Sequence, residues 1–227
     1  VADLMPLDNM SRLTKIYCDN ALVDKAMADK FMRSNPNVLV IYETLALEAW
    51  WNELPSFWKD LLITQAMTSK RPTKEELHSI INIKNLKVGH FIQDAEPISR
   101  LTNIEFLDLS DSKIDDLSPL YGLHNLKSLN VRNTEVSDLA PLSNLKNLKE
   151  LNIENTNVKS LQALHELSNI SKIYADGSKL TQDEVVALKR KQRQLTVIYQ
   201  TDDLRLWWGN LDMAWREIFN SHLTCNS

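Results

Sequence analysis

Apolar residues recur through the middle of the chain at a fixed spacing of 22 positions, in four units that begin at Leu101, Leu123, Leu145 and Leu167. In each unit two apolar residues alternate with polar ones, as in a short half-buried strand. A single unit cannot bury this face, so the pattern predicts that the units stack and that their strands form a parallel sheet. The paired inward positions are Leu107 and Leu109, Leu129 and Val131, Leu151 and Ile153, and Ile173 and Ala175.

A small hydroxyl residue follows each strand and precedes a second apolar set. The four are Ser112, Thr134, Thr156 and Ser178. Because the chain must turn inside the stack at this position, we expect each hydroxyl to satisfy a backbone group that would otherwise be buried without a partner.

The motif Leu123-His-Asn-Leu-Lys-Ser-Leu-Asn-Val and its three counterparts resemble the 22-residue class of bacterial internalin-like leucine-rich repeats. The resemblance implies an α/β fold. This would be a right-handed solenoid with short parallel strands on the concave face and turns or short helices on the convex face. It also implies recognition of a protein partner, and a secreted or cell-surface location rather than a cytoplasmic one. Cys18 and Cys225 form no disulfide framework, so the cysteines leave the compartment open.

A longer repeat joins the two ends of the chain. Residues 1–70 align without a gap to residues 158–227 at an offset of 157, with eighteen identities and all six tryptophans inside the two copies. Residues 1–22 therefore resemble the last ordinary unit of an earlier array. In the first copy, Asp24 is expected to cap a helix through Phe31, before a strand over 38–42.

The second copy predicts the same closing elements. Thr181 and Glu184 have the spacing of a capping box, opening a helix to about Gln192 before a strand over 195–199. Since Leu195 lies 22 positions after Ile173, we expect this strand to continue the register of the array.

Tryptophan-rich segments follow at 43–67 and 200–223, and in each a helix is predicted to begin near Pro55 and near Asp212. We interpret both segments as caps on the repeat core. Thr73 and Glu76 form a further capping box that leads into an irregular first unit, one residue short. The predicted division is 1–67 (the end of an earlier array with its closing helix and tryptophan segment), 68–200 (the main array) and 201–227 (the second tryptophan segment).

The sequence predicts no catalytic, cofactor or metal site. None of the five histidines stands at metal-ligand spacing from a cysteine or another histidine, and the four glycines form no phosphate-binding loop. No apolar run is long enough to span a membrane. The net charge of −4 disfavours nucleic acid as a partner.

The outward side of the strands is the predicted binding surface, and its partner is expected to be a protein or peptide. The candidate partner-binding residues are Phe106, Asp108, Asn130, Arg132, Glu150, Asn152, Glu154, Lys172, Tyr174 and Asp176. Lys172, Tyr174 and Asp176 repeat Lys15, Tyr17 and Asp19; either recent duplication or a shared contact with the tryptophan segments would explain this identity. Two alternatives remain open: a structural spacer of tandem 157-residue arrays, and an accessory region of a larger enzyme or effector.

The first repeat carries a separate prediction. A strand around Lys15–Tyr17 would expose an unpaired edge, with Leu4, Leu7, Met10 and Leu13 beside it. Such an edge favours pairing, so we expect it to be covered by a tryptophan segment, by further repeats, or by a second chain in end-to-end self-association.

Overall fold

The computed structural model describes residues 3–8, 10–90 and 92–223. The strands are β1 Lys15–Tyr17, β2 Leu39–Ile41, β3 Asn85–Lys87, β4 Phe106–Asp108, β5 Ser128–Asn130, β6 Glu150–Asn152, β7 Lys172–Tyr174 and β8 Thr196–Ile198. The α-helices are α1 Lys25–Ser34, α2 Thr44–Glu53, α3 Ser56–Ala66, α4 Lys74–Ile81, α5 Gln182–Lys191, α6 Thr201–Asn210 and α7 Met213–Leu223. Short 3-10 helices span Met5–Leu7, Glu96–Arg100, Ser118–Leu120, Ala140–Leu142 and Gln162–Leu164.

Strands β3 to β8 form one parallel sheet in chain order. Leu107 pairs with Leu129, which pairs with Leu151, and Leu151 pairs with Ile173, so the inward apolar residues lie one above another. The predicted solenoid is therefore confirmed, with short 3-10 helices between the strands. The inward side chains are buried in one continuous core, and burying each one stabilises the fold by roughly 1.5–3 kcal/mol.

The hydroxyl column has the predicted role. Ser112 Oγ donates to the Leu109 carbonyl at 2.7 Å, and Thr134 Oγ1 donates to the Val131 carbonyl at 2.6 Å. Thr156 and Ser178 repeat the bond to the carbonyl three residues earlier, both at 2.7 Å. These bonds satisfy carbonyls at the corner where the chain leaves the sheet.

Left-handed backbone marks the same corner of each repeat. Asp111, Asn133 and Asn155 have φ between 53° and 60°, and their side chains are linked from repeat to repeat by amide hydrogen bonds of 2.6 and 2.7 Å. Gly177 continues the series at φ 66°. A Cβ there would lie 2.1 Å from Asn155 Oδ1, so a larger residue would displace the Asn155 side chain, while glycine also adopts the left-handed angle without steric cost.

The closing strands differ from the prediction. Ile173 pairs with Val197 rather than with Leu195, so the closing unit spans 24 positions instead of 22 because helix α5 takes two residues more than the turn it replaces. The first copy closes in the same way, since Ile16 pairs with Val40. The short first unit is confirmed, because Leu86 pairs with Leu107.

The helix boundaries are mostly as predicted. Asp24 caps α1 through a 2.9 Å bond from Met27 N, although the helix ends at Ser34 and not at Phe31. Thr73 and Glu76 form the full capping box. At α5 the box is incomplete: Thr181 accepts from Glu184 N, but the Glu184 carboxylate instead binds Ser160 Oγ and Leu161 N in the preceding repeat.

The tryptophan pairs lie on helices that the sequence analysis did not predict. Trp50 and Trp51 belong to α2, and Trp207 and Trp208 to α6. We call residues 43–66 the amino-terminal module and residues 200–218 the carboxyl-terminal module. Each begins at a left-handed residue, Glu43 or Gln200. The helices predicted near 55 and 212 are confirmed as α3 and α7.

The first two strands form a separate two-stranded sheet, with its own small core around Leu4, Val23, Phe31 and Val40. The amino-terminal module packs instead into the main core, where Trp51, Leu54, Trp58 and Leu62 are buried. The predicted boundaries at 67 and 200 remain a prediction.

Other features complete the description. Cys18 is buried with a free thiol, while Cys225 lies outside the described residues. In the described part of the chain, no helix is both long and apolar enough to cross a bilayer.

Candidate functional site

The outward residues of strands β4 to β7 lie on one side of the sheet, as their alternation with buried neighbours requires. Phe106 is the most accessible aromatic residue among them, with 48% of its surface exposed. Its register neighbours, Asn85 and Ser128, are small and polar. Arg132 is also exposed, while the other eight candidate residues are half-buried.

Charged side chains on this face pair with one another. Lys87 Nζ lies 3.3 Å from the Asp108 carboxylate, and Arg132 Nε lies 3.8 Å from Glu154. Glu105 binds Lys84 at 3.4 Å and makes a close contact with Lys127. These pairs place groups of both signs on the face, each held by a neighbour from the next repeat.

Three candidate residues also shape the backbone. Asp108 Oδ1 accepts from Ser110 N at 3.0 Å. Asn130 and Asn152 occupy the same register position in the next two repeats and accept from the backbone amide two residues on, at 3.1 and 2.9 Å. Their outward position thus reflects the turn after each strand.

One member of the repeated Lys-Tyr-Asp set, the aspartate, makes the same contact within the fold in both copies. Asp176 accepts from Thr201 N at 2.8 Å and from Thr201 Oγ1 at 2.5 Å. Asp19 accepts from Thr44 N at 3.0 Å in the first copy. Each carboxylate therefore binds the first residue of the helix that carries the tryptophan pair, which is the shared contact considered above.

Lys172 and Tyr174 contact each other. Lys172 Nζ lies 4.7 Å from the centre of the Tyr174 ring, and a hydrogen bond to Tyr174 raises the pKa of the lysine. Of the aromatic and cationic candidates on this face, Phe106 and Arg132 are exposed, while Tyr174 is half-buried against Lys172.

Sequence reasoning missed a second polar cluster, where α4 meets the first sheet. His78 is fully buried. Its Nδ1 lies 2.7 Å from the Lys74 carbonyl, and its Nε2 lies 2.9 Å from Tyr42 N and 2.7 Å from Tyr42 O. The sequence signal for this role is the position of His78 on the apolar face of α4, beside Leu77 and Ile81.

The same helix binds the outward side of β1. Tyr17 Oη donates to Glu75 Oε1 at 2.9 Å. Lys74 Nζ lies 4.6 Å from the centre of the Tyr17 ring and 3.8 Å from Asp19. Helix α4 therefore joins the small first sheet, the amino-terminal module and the main array. The opposite edge of β1 has no paired strand among the described residues, so its predicted covering remains a prediction.

The described ranges assemble no metal site. Among residues 3–8, 10–90 and 92–223, no group of three or more His, Cys, Asp and Glu side chains is placed to hold a metal ion. The absence of catalysis stays a prediction from the sequence.

Acid is expected to weaken the array. Burial raises the pKa of Asp108, but hydrogen bonds from Ser110 and Lys87 outweigh burial and leave it below its ordinary value. The hydrogen bond to Lys127 likewise lowers the pKa of Glu105. A carboxylate whose pKa is lowered by folding stabilises the protein above its unfolded pKa, near about 4, and loses that contribution as pH falls through the folded value.

Urea denaturation across a pH series measures this effect. The free energy of unfolding should be level from about pH 7 to 5.5 and fall below about pH 4.5. An Asp108→Asn variant should show a shallower fall, and a stability that rises between pH 5 and 3 would contradict the expectation.

Comparisons with known proteins agree with this geometry. The model of a family described as leucine-rich repeats (2 copies) matches residues 124–181. An internalin C2 structure from Listeria monocytogenes is 28% identical over 55% of this chain, with a TM-score of 0.51. An internalin (inlF) structure from the same organism is 24% identical over 64% of the chain, with a TM-score of 0.50. The alignments cover 55% and 50% of those two internalins, and a comparison with curated proteins gives no match.

Proposed function

We propose that this bacterial leucine-rich-repeat protein of the internalin-like class is a non-catalytic scaffold. Its concave face binds a protein or peptide. The observation that carries the proposal is an accessible aromatic ring, Phe106, held on a rigid sheet among internally paired charges. Rigid placement lowers the entropy lost on binding. Aromatic and arginine side chains are also the usual anchors of protein interfaces.

The chemistry of the face favours a polypeptide partner. Phe106 offers an apolar contact, while Arg132 and the neighbouring Glu154 offer one group of each sign. A strand or loop with one apolar anchor and mixed charges fits this arrangement. Single-stranded nucleic acid would require several stacking rings on a positive surface, and the protein carries a net charge of −4.

Selection of binding peptides from a displayed library against the full chain tests the proposal. We expect Phe106→Ala to weaken the selected peptides by about tenfold or more, since it removes the central anchor. Tyr121→Ala is the matched control. Tyr121 is 55% exposed and follows the 3-10 helix Ser118–Leu120, away from the strands. Peptides whose affinity falls with Tyr121→Ala and does not change with Phe106→Ala would overturn the proposal.

A structural spacer is the second candidate. Its supporting observation is the joint at α4, where Glu75 and His78 bind the first sheet while apolar residues of the helix enter the main core. A joint of this kind would hold successive arrays at a fixed angle. In that case the concave-face variants would leave the shape of the molecule and its assembly unchanged.

A further inference from the structure

The two tryptophan modules have matching sequences and backbones but opposite environments. Leu47 is 4% exposed in the amino-terminal module, and its counterpart Leu204 is 59% exposed. Trp58 is 4% exposed and its counterpart Trp215 is 53% exposed. The same residue types at the same helical positions are therefore buried in one copy and accessible in the other. The amino-terminal module shows what this face is shaped to contact.

Helix α4 covers the amino-terminal module. Both α2 and α3 contact it, and Leu77, Ile80 and Ile81 of α4 share one buried cluster with the module. The first irregular repeat lies against the same module, because Leu54 and Pro97 line one pocket. An amphipathic helix followed by a repeat thus fills the apolar face.

Three polar contacts fix the orientation of that helix. Glu75 accepts from Tyr17 Oη, Lys74 lies over the Tyr17 ring, and His78 bonds to the backbone of Tyr42. Tyr17 and Tyr42 both recur, at the 157-residue spacing, as Tyr174 and Tyr199. The second copy thus repeats both tyrosines that α4 contacts in the first copy.

One cation position is already filled in the second copy. Lys172 lies 4.7 Å from the Tyr174 ring centre, where Lys74 of α4 lies 4.6 Å from Tyr17. The chain's own lysine thus takes the place that the covering helix supplies in the first copy. The tyrosine ring therefore binds a cation in both copies, and a helix that covers the second copy would need no lysine at the position of Lys74.

We infer that the carboxyl-terminal module, together with the β7–β8 end of the sheet, is a docking surface for the opening helix of another leucine-rich-repeat array. The occupant is an amphipathic helix equivalent to α4. It carries a carboxylate and an imidazole at the positions of Glu75 and His78, and an apolar face at the positions of Leu77 and Ile81. A first repeat follows this helix. This inference does not depend on what the concave face binds.

The test extends the full chain after Ser227 by a second copy of residues 71–157, which keeps the 157-residue spacing. The covalent link gives an effective concentration in the millimolar range. Hydrogen exchange at the amides of helix α6 should slow by about tenfold or more relative to the chain without the extension. Unchanged exchange in α6 would overturn the inference.

Leu204→Asp is the matched variant. In the chain without the extension it should leave the stability within about 0.5 kcal/mol, because the side chain is largely exposed. In the extended chain it should return exchange in α6 to within about twofold of the rate without the extension. Full protection retained with Asp at this position would contradict a direct contact.

Sedimentation of the chain without the extension tests the competing occupant. A dimer that Leu204→Asp disperses would assign the face to a second copy of this chain and overturn the inference. A monomer at micromolar concentration is the expected result. None of these outcomes alters the peptide-binding result for Phe106, so the two proposals fail separately.

Discussion

Trp58→Ala is expected to lower the free energy of unfolding by about 3–5 kcal/mol, the range for removing a buried tryptophan. Trp58 is buried in the core that α3 shares with α4 and the first repeat, so the truncation leaves a large cavity at the joint. Urea denaturation monitored by circular dichroism measures the change, because fluorescence would itself be altered by the substitution.

Trp215→Ala is the control that the internal duplication supplies. The residue type and helical position are the same, but Trp215 is more than half exposed, so its loss should cost about 1 kcal/mol or less. An equal decrease in the free energy of unfolding for the two variants would mean that the carboxyl-terminal module is covered in solution.

His78→Ala is expected to destabilise the protein by about 2–4 kcal/mol, since buried groups left without partners cost about 1–3 kcal/mol each. The substitution removes the contact of His78 Nδ1 with the Lys74 carbonyl and the contact of Nε2 with the Tyr42 backbone, where Nε2 bonds either N or O according to the ring tautomer. The substitution should increase hydrogen exchange most at the amides of Tyr42 and of β2, because His78 no longer joins α4 to the first sheet.

An exposed histidine provides the comparison for this variant. His124 lies on a turn between repeats and is exposed, so His124→Ala should change stability by no more than about 0.5 kcal/mol. If His78→Ala matched this small effect, or accelerated exchange only within β4 to β7, the role assigned to α4 would be wrong.

Much of the array was predictable because every repeat must bury the same apolar face. Leu107, Leu129 and Leu151 must all face inward for the stack to bury them, and a fixed period reveals that requirement directly. The hydroxyls at Thr134 and Thr156 were predictable for the same reason, since each corner leaves one carbonyl to satisfy.

The closing units were less predictable because they occur once per array. The run Val197-Ile198-Tyr199 is apolar throughout, so alternation does not say which residue opposes Ile173, and the observed partner is Val197. A helix in place of a turn also changes the path length between strands.

Contacts between distant segments could not be predicted from the repeat pattern. Glu75 and His78 fit an amphipathic helix, but the sequence around them does not indicate that Tyr17 and Tyr42 are their partners. Asp19 and Asp176 match in sequence, but their bonds to Thr44 and Thr201 depend on a helix that begins at each threonine, which the repeat pattern does not predict. The binding role of the concave residues stays a prediction.

The separation of the two sheets limits how far a peptide on the proposed concave binding face could extend. The main sheet has six strands, and β2 does not continue it. With neighbouring strands about 4.8 Å apart, the six span roughly 24 Å from first to last. An extended peptide lying across them would therefore make contact over about seven residues at 3.3 Å each, which suits a short linear segment better than a long fibre.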